Sequence, residues 1–577
     1  MRHGMIVACW LLGAATPALA ARYGSLEVAV EPQPAVEGSP AEMPVSGYVE
    51  HRIVLRNRSK TADYRVRLIT PANDYGHFSD YLKQNTRSVQ ANHGSTVVVS
   101  LFQPMLPTTD ERLAVEIDGE RQEELVELPS PLIRTWLGRV SRSPLVVLTS
   151  RGISQDYKDQ VRAAHTNEIT FCRSESAANE WSSHWLGYTL YDAVLLTDRE
   201  IASLPADVLL AVRRFVEAGG IVLVQGSNEK PFEELVPKPL RGGDGAPDYV
   251  GFGLVRRAPI AARWPQELWT AAVKPKVAPS DRMVEIVSDV SVPVRGLLLV
   301  VIGFAVGIGP VNVWMLSRRR KRMWLWWNVP AMSLATCLAV FTYSLLSEGI
   351  TGRGRTALVT LLDENAHRAT TLGYVSYYCP LTPPDGLHFS YETEVTRLHS
   401  IDNQPGIRIG GGRALTADWS RDQHLDSGWV VARVPACFGI RKSETRRERL
   451  TFRKAADGAV TVVNGLGTDI DSLYYLDEDG MAGVARELPA GAERTLERRK
   501  TDGPPAASAR TLRGLFEERW NLSLAQLKDH PEHYVAPGCY LAVVKQSPFL
   551  EDPIPSAIQE GSVGVIYGVA AQGNDGR

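Results

Sequence analysis

No charge of one sign dominates this chain: 63 Lys and Arg stand against 65 Asp and Glu, a formal net charge of -2. That balance excludes a basic surface spread over the whole molecule, and with it nucleic acid as the expected partner. No GxxxxGK[ST] run occurs, which excludes a P-loop, and the Gly410-Gly411-Gly412 run lacks the strand–helix setting of a dinucleotide site. Cysteine is scarce, six in all. Domains of this size do not need a disulfide framework, and pairing among Cys172, Cys379, Cys437 and Cys539 stays open, Cys379 with Cys437 being one possibility. Histidine is missing between His184 and His367. Charge is missing from two runs, Gly296 to Leu316 and Met323 to Ser347.

These two uncharged runs are each long enough for a span of roughly 20 residues. They predict a two-helix transmembrane hairpin over 296–316 and 323–347. The turn between them, 317–322, holds Arg318, Arg319, Arg320, Lys321 and Arg322, which the positive-inside rule assigns to the cytoplasm. Gly303 and Gly307 make a GxxxG spacing for close helix packing. With no ionisable residue inside either run, the expected role is anchoring in the lipid bilayer.

At the other end, Arg2 and His3 precede an apolar stretch from Met5 to Ala15 and a small-x-small site at Ala18-Leu19-Ala20. This reads as a signal peptide over 1–20, cut after Ala20. Signal and charge bias together predict a two-pass inner (plasma) membrane protein with both large domains on the periplasmic side.

Four further regions follow from hydrophobic period. Tyr64 to Leu68 and Leu113 to Ile117 alternate strictly, so 21–140 is expected to be an immunoglobulin-like β-sandwich. From 144 to 260 short apolar strands, Leu145 to Leu148, Ala193 to Leu196 and Ile221 to Val224, alternate with helices. That order predicts a parallel, flavodoxin-like α/β sheet. A connector is expected over 261–295, and a β-rich C-terminal domain over 355–577. His530 and His533 in the HPEH run are too few by themselves for a metal site.

The stretch Trp185-Leu-Gly-Tyr-Thr-Leu-Tyr191-Asp192-Ala-Val-Leu-Leu, then a helix, then Glu217-Ala-Gly-Gly-Ile-Val-Leu-Val resembles the class I glutamine amidotransferase-like fold. It is similar to the degenerate versions in uncharacterised bacterial envelope membrane proteins and in gliding-motality and ABC-exporter auxiliary proteins. The Gly309-Pro310-Val-Asn312 junction resembles theirs too. Active members of that superfamily carry a nucleophilic cysteine where this chain has Gln225-Gly226-Ser227-Asn228. A nucleophile needs a positioned base, so Ser227 is a weak alternative nucleophile and no catalytic residue, cofactor or metal is expected. The resemblance implies a non-catalytic envelope protein that binds a partner, accessory to a transport or assembly complex. The rival expectation is a divergent hydrolase acting on cell-envelope material.

Overall fold

The computed structural model describes residues 19–37, 47–75, 80–106, 108, 110–128, 145–164, 169–226, 248–257, 298, 302–318, 325–348, 351–398, 413–499 and 524–571. Most of the regular structure is β-strand, arranged in five sheets.

The first sheet is antiparallel and pairs Leu19–Tyr23, Leu26–Val30, Tyr48–Asn57 and Thr96–Pro104 in that order. The second runs Val126–Glu127, Arg112–Ile117, Tyr64–Thr70 and Tyr81–Ala91. It then continues in strands from the last third of the chain: Ala414–Asp418, parallel to Tyr81–Ala91, then Gln423–Leu425 and Leu387–Phe389. The N-terminal β unit is therefore completed by residues more than half the chain away.

The third sheet is the α/β unit. Its five parallel strands lie in the order Ile169–Arg173, Leu145–Thr149, Ala193–Thr197, Ile221–Gln225 and Gly253–Arg257. Numbered along the chain this is 2-1-3-4-5, a doubly wound order. The central residues of these strands, such as Val146, Val147, Val194, Leu195, Val222 and Leu223, are apolar and buried because both faces are covered. Two antiparallel edges close the sheet: Asp248–Val250, and Ala35–Glu37 from the N-terminal segment. The buried Lys158 holds the latter edge, its Nζ 2.6 Å from Glu37 Oε1. Helix Ala206–Glu217 packs Val208, Val212, Phe215 and Val216 into a core that also contains Val28, Ile53, Leu55, Val66 and Val115 of the first two sheets. The two units share one apolar interior.

The fourth sheet has ten strands and is mixed. Arg353–Asp363 pairs antiparallel with Arg368–Tyr378 and parallel with Val563–Val569. A small fifth sheet, Arg449–Lys454, Val460–Gly465 and Glu493–Thr495, lies beside it.

The fold class expected from the sequence is corrected at its transmembrane hairpin. Among the described residues no helix is long and apolar enough to cross a membrane. The first run is helical over the described residues 302–318 and contains a π-helical turn, Gly307–Val311, with Pro310 inside it. Proline lacks the N–H that a regular α-helix requires, and hydropathy does not register that local change. The second run is helical over Leu325–Glu348 and carries Pro330 within it. The two-pass inner-membrane placement, and the periplasmic side deduced from it, fall with the hairpin. What these helices do show is exposed apolar surface, including Trp326 at 86% and Trp327 at 80%.

Candidate functional site

Strand Tyr48–Asn57 runs along the α/β unit, and the two meet closely at glycine. Gly47 has φ +99°, and a Cβ there would overlap the Thr189 carbonyl. Tyr48 is the junction of three units. Its N–H donates to Thr189 Oγ1 (3.0 Å) in the α/β unit. Its hydroxyl donates to the Val395 carbonyl (3.0 Å) and accepts from Val395 N (3.1 Å) and Gln423 Nε2 (2.5 Å) in the C-terminal unit. Trp419 packs edge-on to the Tyr48 ring, centroids 5.6 Å apart.

Next along the strand, Glu50 points into a cavity of about 80 Å³ at this seam. The cavity opens where the first two parallel strands end, at Leu148 and Ser174. Its wall is acidic and aromatic: Glu31, Glu50, Glu180, Trp181, Tyr188 and Tyr191. The one cation in the lining, Arg52, is already engaged, 3.0 Å from Glu31 and 2.5 Å from the Glu180 carbonyl. Burial pushes the Glu50 carboxyl above its ordinary value, while hydrogen bonds from Ser100 and Ser182 and the charge of Arg52 pull the other way. A Cβ on Gly187 would overlap Glu50 Oε2. Only glycine lets the carboxyl lie against this backbone: Trp185 and Leu186 face the core while Gly187 and Tyr188 line the site.

The opposite side of the α/β unit meets the C-terminal unit quite differently. Glu217 ends helix Ala206–Glu217, a poor place for a carboxylate given the helix dipole. Burial would raise its pKa further, but Arg368, with Arg213 and Ser443, overrides burial and holds it below its ordinary value. Arg368 donates through Nε (3.2 Å) and Nη2, Ser443 Oγ donates at 2.6 Å, and Arg213 Nε donates at 2.8 Å. The buried pair Arg441–Glu394 lies beside it, with Arg441 Nη1 3.4 Å from the Ala218 carbonyl.

The titrating groups of the described residues bear on chemistry. Burial pushes the thiols of Cys172 and Cys539 up to about 12 and Cys437 up to about 11. The five described cysteines are free, so Cys379 and Cys437 are not paired. Burial pulls His51 and His184 down to about 4. At neutral pH these groups are uncharged thiols and imidazoles. His530, Glu532 and His533 form the cluster whose ligand atoms lie close enough to share an ion.

Of the residues singled out from sequence, Ser227, Ala18, Arg319, Arg320, Lys321 and Arg322 lie outside the described residues. Ala20 is an exposed residue of strand Leu19–Tyr23. Arg318 stacks over Trp314, 4.8 Å from the ring centroid. A Cβ on Gly303 would meet open space, whereas one on Gly307 would lie 3.5 Å from Met332 of the following helix. Sequence reasoning missed Glu50 and Glu217. The only local trace of Glu50 is a Glu-His-Arg run interrupting a strand of apolar residues.

No family model matches the chain, and no curated protein matches it. Among solved structures it is similar to a crystal structure of a Paenibacillus sp. cycloisomaltooligosaccharide glucanotransferase complexed with cycloisomaltoheptaose, at 13% identity and a TM-score of 0.14, over 34% of this chain and 27% of that one. The match spans well under two thirds of that chain, and at this TM-score it carries no argument about fold or activity.

Proposed function

We propose that this chain is a non-catalytic binding protein that takes a basic group of a partner, such as a lysine or arginine side-chain tip, into the cavity around Glu50. The supporting observation is the imbalance of that cavity: three glutamates and four large aromatics face one arginine, which is already paired with Glu31 and the Glu180 carbonyl. A cation entering there meets carboxylates in a partly dehydrated site, where charge interactions are stronger than in water, and aromatic side chains that favour it further. The neutral state of the buried thiols and imidazoles speaks for binding over nucleophilic chemistry, which needs an activated nucleophile. From the sequence resemblance we infer that such a partner belongs to an ABC-type transport or assembly complex.

Small cations probe this directly. Butylammonium and arginine ethyl ester are expected to raise the thermal midpoint of the protein, and uncharged butanol is not. The shift grows as pH rises, because protonation of Glu50, whose pKa is raised, competes with the cation. Glu50→Gln, nearly isosteric, abolishes it. Equal shifts for butylammonium and butanol, or for Glu50→Gln and the parent protein, overturn the reading.

A further inference from the structure

Helix Leu524–Asp529 lies on the C-terminal sheet with Leu524 and Leu527 buried. The chain then turns once through a short 3-10 segment, Pro531–His533, and re-enters the core at Val535 and Ala536. The turn is pinned at both ends. Tyr534 N and Val535 N donate to the Pro531 carbonyl at 3.0 and 3.2 Å, and Ala536 N donates to the buried Tyr567 hydroxyl at 3.1 Å. His533 N donates to the His530 carbonyl at 3.2 Å, and Pro531 fixes its own φ at the first position of the turn.

In a 3-10 turn the side chains at i and i+3 eclipse one another, which brings His530 and His533 to the same side. Their ring centroids are 5.7 Å apart. Glu532 reaches between them, its Oε1 3.5 Å from His530 Nδ1 and 4.0 Å from His533 Nε2. All three ligand atoms lie within 4.8 Å of one another. Around a tetrahedral ion with arms of 2.0–2.1 Å the donors stand about 3.3 Å apart, so rotamer adjustments of less than about 1.5 Å complete the set with no backbone movement. The side chains are 61%, 41% and 67% exposed for His530, Glu532 and His533, leaving further coordination positions for water or an incoming group.

We propose that His530, Glu532 and His533 form a solvent-facing site for a late first-row divalent metal ion, with zinc, cobalt or nickel as the fitting class. Two imidazoles and one carboxylate suit these ions and do not suit calcium or magnesium, which take oxygen ligands. Because the scaffold is already folded, binding does not have to drive folding, unlike in zinc fingers. The site is separate from the Glu50 cavity and stands or falls independently of it.

The test uses the full chain, produced without a histidine tag, titrated with Zn²⁺ by calorimetry and with Co²⁺ by visible absorption. One equivalent is expected to bind, with a d–d band appearing on addition of Co²⁺. His530→Gln and His533→Gln each weaken binding by about tenfold or more, and Glu532→Gln weakens it less. The exposed positions leave the far-ultraviolet circular dichroism unchanged, so loss of metal is not loss of fold. Undiminished binding in the His530→Gln/His533→Gln double variant, or binding of the parent protein only above about 1 mM, overturns the proposal.

Discussion

The α/β unit has two seams, and they differ in what they do with buried charge. Toward the C-terminal unit, Glu217 is saturated: Arg368, Arg213 and Ser443 occupy its oxygens. Toward the N-terminal β unit, Glu50 has two serines on it, a glycine beneath it and an open volume in front. A carboxylate whose partners are complete acts as a clasp. One whose partners are incomplete, beside a cavity, remains available to a ligand. Both lie against the same α/β unit, so the distinction lies in the neighbouring residues and not in the fold.

The strongest way to break this comparison is to open the clasp. Arg368→Ala strips buried Glu217 of its main cation, leaving Arg213 and Ser443, and is expected to cost about 3–5 kcal/mol in denaturant unfolding, with much of it recovered in Glu217→Leu/Arg368→Met. A loss below about 1 kcal/mol would show that the two seams are energetically alike.

Acid is the second lever. Burial opposes ionisation of Glu551, but Lys442 at 2.7 Å and the Ser390 N–H at 2.6 Å hold its pKa down to about 2, from an ordinary 4.5. A depressed carboxyl contributes stability above its unfolded pKa and loses it as pH falls through the folded one. Unfolding monitored against pH should therefore show a loss between about 4.5 and about 2 that Glu551→Gln removes.

The smallest expected effect sharpens the other seam. Gly187→Ala forces the Glu50 carboxyl aside and should cost about 1–3 kcal/mol, while cation-induced thermal shifts vanish. Retained shifts would place the ligand elsewhere.

Much of the local structure is legible in the sequence because its signals are local. The alternation at Tyr64 to Leu68 lies within strand Tyr64–Thr70, and the apolar runs Leu145 to Leu148 and Ile221 to Val224 lie within strands of the parallel sheet. The hairpin reading took absence of charge as sufficient for two spans, whereas among the described residues no helix is long and apolar enough to cross a membrane. The sites were not legible. Glu50 meets Gly187 and Ser182 from more than a hundred residues away, and Glu217 meets Arg368 151 residues on. Neither pairing leaves a period or a motif in the chain.

The parallel pairing of Tyr81–Ala91 with Ala414–Asp418 imposes a schedule on biosynthesis. Thr86 and Asp418, hydrogen-bonded at 3.0 Å, are 332 residues apart. At 5–20 residues per second, the earlier strand leaves the ribosome roughly 15–70 s before its neighbour exists. Through that interval its backbone edge is unpaired, the condition in which strands recruit foreign chains. A nascent-chain chaperone that shields this edge, or slow codons placed after it, would therefore govern yield more than the stability of the finished protein does.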